Sequence, residues 1–318
     1  MTNKFWKYKR VLVTGAAGFL GSHLSSALLS LGAEVVSLDN TWDNYYYNHE
    51  ADLAVIVDGD VRNYELLTRT LSKYEIQVIF HLAAVSTVSI SKRNPTDAYT
   101  TNVNGVVNVL EAARQYDEVE YIVCASTDKV YGELGDRPAY IETDPICALN
   151  PYDCSKACGD LIAQTYWKAY GLPIGITRNG NMYGGGDMNW NRLIPNTIRR
   201  IHAGLNPQIW GTGDETRDFL FIDDAVNGYI KMAEHKAQGI FNFATGHQTK
   251  VMDVINGIQH LMGSQLEVEV KGIGEDEIKN QCLDWSKAHD LLGWEADNEI
   301  GEGLEKTVEW YRSYLANG

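Results

Sequence analysis

The chain has 318 residues, 44% hydrophobic and 22% charged, room for one large domain or two moderate ones of ordinary globular composition. Its formal net charge of −15 argues against nucleic acid or an anionic membrane as the main partner, while leaving room for a small phosphorylated ligand in a locally basic pocket. No apolar run is long enough to span a bilayer, and MTNKFWKYKR leads into a Gly-punctuated stretch without a signal-peptide layout, so a cytoplasmic protein is expected.

RVLVTG (10–15) reads as a buried strand and FLGSHLSSALLSLG (19–32) as a helix ending at Gly32. Strands follow at EVVSLD (34–39) and LAVIVDGD (53–60), separated by NTWDNYYYNHEA (40–51), read as a polar, aromatic surface loop. A helix over 62–73, a strand at QVIFHLA (77–83), a helix over 98–116 and a strand at EYIVCAS (120–126) come next. A helix over 151–170 leads to the strand PIGITR (173–178). Strands rich in Val, Ile and Leu, alternating with helices, predict a parallel sheet buried on both faces: a doubly wound α/β, Rossmann-type domain.

Beyond residue 180 the regularity fades. Helices are expected at 193–204, 223–235 and 251–262, short strands near PQIWG and IFNFAT and at 266–270, and two helices at the C-terminus. The division expected is 1–180 as the dinucleotide domain, with a return segment near 208–245, and 181–318 as a smaller α/β substrate lobe. Five cysteines, odd in number and without a CxxC pair, argue against a disulfide framework or a zinc site, so no metal is expected. Cys154 and Cys158 read as small packing residues.

TGAAGFLG places Gly15, Gly18 and Gly21 between the first strand and the first helix. Glycines there permit a tight turn and close approach of backbone to a pyrophosphate, and the helix start supplies free N–H groups. Asp39 ends the second strand, where a carboxylate accepts ribose hydroxyls and repels a 2′-phosphate, which favours NAD over NADP. Asp60 and Val61 are candidates for the adenine pocket.

NPYDCSKACGD sets Tyr152 and Lys156 four apart on one helix face. A free Tyr, with a reference pKa of about 10, is a poor base at neutral pH. A neighbouring ammonium and a cationic nicotinamide would favour its phenolate and make it a base for an alcohol undergoing oxidation.

With TGAAGFLG, HLAA, NVNG, STDKVYG, YDCSK and RDFLFIDD in order over essentially the whole chain, the sequence resembles the extended short-chain dehydrogenase/reductase family, in its nucleotide-sugar branch. The resemblance implies NAD held also by Phe19, Leu20, Leu82, Ala83, Ala84 and Asn102. It implies Thr127 on the sugar 4-oxygen, Tyr152 as base, and Lys156 on the nicotinamide ribose. Thr127-Asp128-Lys129 resembles the Thr-Asp-Lys of CDP-glucose 4,6-dehydratases; the deoxythymidine-diphosphate-glucose enzymes carry Thr-Asp-Glu and the 4-epimerases small or non-ionisable residues. The implied chemistry is oxidation at carbon 4, loss of the carbon-5 proton and the 6-hydroxyl as water, and hydride return to carbon 6. Asp128 is then the acid. Lys129 is the base, if neutral, or a stabiliser of the enolate charge.

The resemblance also places Asn181 on the sugar or its phosphate and Arg217 on the diphosphate, a task suited to a guanidinium. Arg192 is a candidate for the nucleotide. Trp190 and Trp210 read as base-stacking or core residues, and Arg199 and Arg200 as helix-surface residues. GAAGFLGSHL is the epimerase-like glycine turn, which leaves the dehydratase triad better supported than CDP specificity. A 4-epimerase, a 5,6-dehydratase and, more remotely, a non-catalytic NAD-binding protein are the competing readings. Family likeness implies a homodimer through the helices near 98–115 and 151–169, with a nucleotide-diphosphate sugar as substrate, in surface-polysaccharide or deoxysugar synthesis.

Overall fold

The computed structural model describes residues 4–42, 54–272 and 278–316. The loop read over 40–51 lies, from residue 43 on, outside the described residues. The first half alternates strand and helix: β1 (Arg10–Thr14), α1 (Phe19–Ser30), β2 (Glu34–Asp39), β3 (Val55–Asp58), α2 (Tyr64–Lys73), β4 (Val78–His81), α3 (Val88–Arg93), α4 (Pro95–Tyr99), α5 (Gly105–Arg114), β5 (Tyr121–Ala125), α6 (Pro151–Tyr170) and β6 (Ile174–Asn179). The second half carries β7 (Asn181–Tyr183), α7 (Leu193–His202), β8 (Gln208–Ile209), β9 (Thr216–Arg217), β10 (Phe219–Phe221), α8 (Ile222–His235), β11 (Gly239–Phe243), β12 (Thr249–Lys250), α9 (Val251–Met262), β13 (Glu269–Val270), α10 (Ser286–Leu292) and α11 (Ile300–Ala316).

Seven strands form one sheet in the order β11–β6–β5–β4–β1–β2–β3, all parallel. Successive strand residues serve opposite faces. Val11, Val13, Phe80 and Val123 join one apolar core with residues of α1 and α8. Leu12, Ile79 and Ile122 join a second with residues of α2, α5 and α6. Burial on both faces explains why these strands read as continuous apolar runs rather than alternating ones. Strand order reverses between β1 and β4, so a crevice opens beyond their C-terminal ends, the place where such sheets take ligands.

Residues 239–243 supply the edge strand beside β6, and α8 packs against α1, β5 and β6. The remaining strands pair only in twos, β10 with β7, β12 with β9 and β13 with β8. Several boundaries differ from expectation. β3 and β13 are shorter than the strands read at 53–60 and 266–270. The helix read over 98–116 is broken into α4, a π-helical turn at Thr100–Asn104, and α5. Pro95 starts α4 and the Asn94 side chain caps it, accepting from Asp97 N at 3.3 Å. Under the sheet's C-terminal edge, Arg178 of β6 and Asp160 of α6 form a fully buried bidentate ion pair at 2.9 and 3.0 Å, with the guanidinium over the Tyr131 ring. Among the described residues, no helix is long and apolar enough to cross a membrane.

Candidate active site

The crevice begins at Gly15, which leaves β1 with φ +70°. A Cβ there would lie 2.7 Å from Ala83 N, and one on Gly21 would lie 2.0 Å from Gly15 O. The two glycines therefore let the β1 turn, the loop after β4 and the start of α1 close on one another. Gly18 caps α1 without a side-chain hydrogen bond, which leaves the first-turn N–H groups directed outward for an anion. Leu20 turns its side chain into the core, so it offers a ligand only backbone, while Phe19 packs edge-on against His23. Asp39, at the end of β2, accepts from Ala17 N at 3.0 Å and from Asn40 N at 2.8 Å; burial raises its pKa, with those backbone bonds opposing. This glycine cradle with a carboxylate at the end of β2 fits the pyrophosphate and ribose of NAD.

Asp60 is tied to Arg62 at 2.6 Å and to Asn40 at 2.9 Å, and the Arg62 bond holds it near 2. Val61 is core, wedged where a Cβ on Gly105 would meet it at 2.7 Å. The side chain of Asn102 is spent on the protein. It accepts from Val85 N at 2.7 Å and donates to Val85 O and to Ser155 Oγ. The structure thus gives Asn102 a positioning role, pinning the loop that follows Leu82, Ala83 and Ala84 onto α6. Thr14 Oγ1 accepts from Leu82 N and Ala83 N, so its proton points to His81 Nδ1 at 2.8 Å, which places the imidazole proton on Nε2. Burial, then the Lys156 charge, lowers His81 to about 3 and keeps it neutral.

Thr127 follows β5 and caps a short 3₁₀ turn, Asp128–Tyr131, that carries Asp128 and Lys129. It donates to Asp128 Oδ1 at 3.0 Å, and its hydroxyl bears on the Tyr152 phenol. Tyr152 lies in the first turn of α6, where Asn150 accepts from Asp153 N at 3.0 Å and Pro151 opens the helix. Burial pushes the Tyr152 phenol up to about 12, opposed by the Arg192 guanidinium and the Thr127 hydroxyl, and helped by the Asp128 and Asp153 carboxylates. The Arg192 guanidinium, from the start of α7, is thus a cation that draws the Tyr152 phenol down. Lys156 donates to Ala125 O at 2.6 Å, and burial lowers it to about 8.

Asp128 is buried, and its Oδ2 has no partner among the described residues. Lys129 Nζ donates to Gln281 Oε1 at 3.2 Å. Asp153, whose Oδ1 is likewise buried without a partner among the described residues, is raised to about 6 by burial, with Lys129 opposing and Asp128 adding. Asn181, in β7, has a buried Nδ2 with no partner among the described residues. Arg192 pairs with Asp187 at 3.0 Å, and Arg217 Nη1 donates to Thr216 O at 2.8 Å and Lys279 O at 3.2 Å. Trp190 packs with Tyr311 and Tyr314 under Arg199, whereas Trp210 is 69% exposed and is no core residue. The sequence reading missed Asp153 and Gln281. Asp153 was legible as the residue after the tyrosine; nothing local marks Gln281.

The model of the NAD dependent epimerase/dehydratase family matches residues 11–244. The chain belongs to that family. It is 31% identical over 313 residues to a UDP-glucose 4-epimerase of Mycolicibacterium smegmatis, covering 96% of this chain and 99% of that one. It is also 31% identical over 325 residues to a dTDP-glucose 4,6-dehydratase of Xanthomonas campestris pv. campestris, covering 94% and 92%. The crystal structure of a dTDP-glucose 4,6-dehydratase from Streptomyces venezuelae, with NAD bound, superposes with a TM-score of 0.90 at 30% identity, covering 96% and 98%. As an enzyme of the NAD dependent epimerase/dehydratase family this protein uses NAD, and its relatives include both nucleotide-sugar 4-epimerases and 4,6-dehydratases.

Proposed function

We propose that the chain is a nucleotide-sugar 4,6-dehydratase of the CDP-glucose type, converting a nucleotide-diphosphate hexose into its 4-keto-6-deoxy derivative and water. The observation that carries this reading is the pair Asp128 and Lys129, set on one turn beside Thr127 and Tyr152. Oxidation at carbon 4 needs only the Thr–Tyr–Lys set. A buried carboxylate with a free oxygen and an amine beside it are the further acid and base that elimination of water demands.

NAD, when bound, supplies the hydride acceptor at carbon 4 and the hydride donor at carbon 6. Thr127 holds the 4-oxygen, and Tyr152 takes the 4-hydroxyl proton. Because burial favours the neutral phenol, the positive charge brought by Arg192 and Lys156 matters to that transfer. The resulting ketone acidifies the carbon-5 hydrogen. Lys129 removes that proton or steadies the negative charge it leaves, and Asp128 protonates the departing 6-hydroxyl. Arg217 and Arg192 serve the diphosphate, and Asn181 the sugar or its phosphate. The proposed assembly is a homodimer through the outer faces of α5 and α6, supported by exposed Leu161 and Tyr170 on α6; sedimentation velocity tests it.

A 4-epimerase is the second reading, favoured by the epimerase-like glycine turn and the equal likeness to a 4-epimerase. Incubation with CDP-, UDP-, GDP- and deoxythymidine-diphosphate-glucose, followed by mass spectrometry, separates the two. The dehydratase product is lighter by one water, the epimer has unchanged mass, and an epimer from any of the four would overturn the proposal.

A further inference from the structure

Gln281 comes from the C-terminal third of the chain, yet its side chain ends at the catalytic turn. Its segment is anchored residue by residue across the site. Lys279 O accepts from Arg217, Asn280 Oδ1 accepts from Thr216 Oγ1 at 3.0 Å, Gln281 N donates to Thr216 O at 3.2 Å, and Cys282 O accepts from Tyr140 N at 2.9 Å. Those bonds occupy the neighbours. The Gln281 side chain, fully buried, gives its carbonyl to Lys129 Nζ at 3.2 Å, while its Nε2 has no partner among the described residues.

We propose that Gln281 is a positioning residue for the elimination step: its carbonyl holds Lys129 against the sugar, and its amide N–H groups donate to a sugar oxygen. This rests on the dehydratase reading above. An amide nitrogen is a donor only, so the missing partner must be an acceptor. Asp128 Oδ2, on the turn that carries Lys129, and Asp153 Oδ1, on α6, are buried acceptors without partners among the described residues. A set of free donors and free acceptors gathered around one lysine suits a polyhydroxylated ligand, whose hydroxyls give to the carboxylates and whose oxygens accept from the amide. A neutral carbonyl accepts from Lys129 in either protonation state and so orients the nitrogen without locking it into the ion pair that a carboxylate would form with the charged amine.

The test uses the full chain with NAD and the variants Gln281→Ala and Gln281→Glu. Competitive acylation with mass spectrometry reads the reactivity of Lys129 without any turnover. Lys129 is expected to label several-fold faster in Gln281→Ala and no faster than wild type in Gln281→Glu, which keeps an acceptor. With a nucleotide sugar that the wild type dehydrates, Gln281→Ala is expected to slow water loss on the order of 10–100-fold, while reduced cofactor still forms. Gln281→Glu, lacking the N–H donors, is expected to raise KM more than it lowers kcat. Unchanged Lys129 labelling in a folded Gln281→Ala protein overturns the proposal, as does an equal slowing of oxidation and elimination. If the wild type dehydrates no sugar, the dehydratase reading fails alone and the labelling still decides whether Gln281 holds Lys129. Should Gln281→Ala not fold, Gln281→Met, of similar volume, carries the same measurements.

Discussion

Gly21→Ala tests the cofactor cradle without reference to any substrate. The added Cβ would lie 2.0 Å from Gly15 O and 2.8 Å from Ala16 Cα, both backbone atoms, whereas real Cβ contacts essentially never fall below 3.0 Å. The start of α1 must therefore part from the β1 turn by about 1 Å. Neither side yields freely, because Leu20, Leu24 and Ala16 are packed in the core. Overpacking of this kind costs roughly 1–3 kcal/mol, and a backbone obstacle belongs at the upper end. The same displacement widens the pyrophosphate turn, so NAD affinity is expected to fall roughly 10–100-fold, taking 1.4 kcal/mol as tenfold. Urea unfolding and an NAD titration followed by tryptophan fluorescence read the two effects. Gly301→Ala, where an added Cβ meets nothing within 4 Å, is the control and should be neutral or slightly stabilising. A Gly21→Ala protein with wild-type affinity and unfolding midpoint would refute the reasoning.

Asp160→Ala strands the buried Arg178 guanidinium and should cost about 3–5 kcal/mol in urea unfolding, with a smaller loss when Arg178→Met is added; a loss below about 1 kcal/mol would contradict a buried pair. His81, lowered to about 3 in the folded chain from 6.5, contributes stability that is complete above pH 6.5 and is lost as pH falls towards 3. The stability difference between wild type and His81→Gln should therefore drop by about 1.4 kcal/mol per pH unit below 6.5, measured by unfolding at several pH values; a flat difference would mean His81 is protonated when folded. Lys129→Ala should retain hydride exchange at carbon 4 and lose water elimination, as read by deuterium uptake at carbon 5 and by product mass. Unimpaired turnover would remove Lys129 from the mechanism.

What was legible in the sequence is what neighbouring residues decide. α6 runs over 151–170 as read because its signals are local: Asn150 caps it, Pro151 starts it and Gly171 leaves it with φ +70°. The strands of the parallel sheet were legible because burial on both faces writes itself as unbroken apolar runs. The same holds for Gly15, Gly21 and Asp39, whose places follow from a turn between β1 and α1 and from the end of β2. The two- and three-residue strands beyond residue 180 have no such period to read, and are strands only because a partner lies alongside.

Tertiary structure decided the rest, since those residues take their meaning from groups far off in the chain. The break at Thr100–Asn104 brings Asn102 to Val85 and Ser155, 17 and 53 residues away. A guanidinium that bears on Tyr152 comes from Arg192, 40 residues further along the chain. Gln281 meets Lys129 across 152 residues. Local chemistry thus determined by itself that this chain carries a dinucleotide-type glycine turn and sets a carboxyl and an amine directly after Thr127. Only packing decided which distant groups hold that acid and amine in place, because a hydrogen bond or a buried charge depends on what the folded chain brings within a few ångströms.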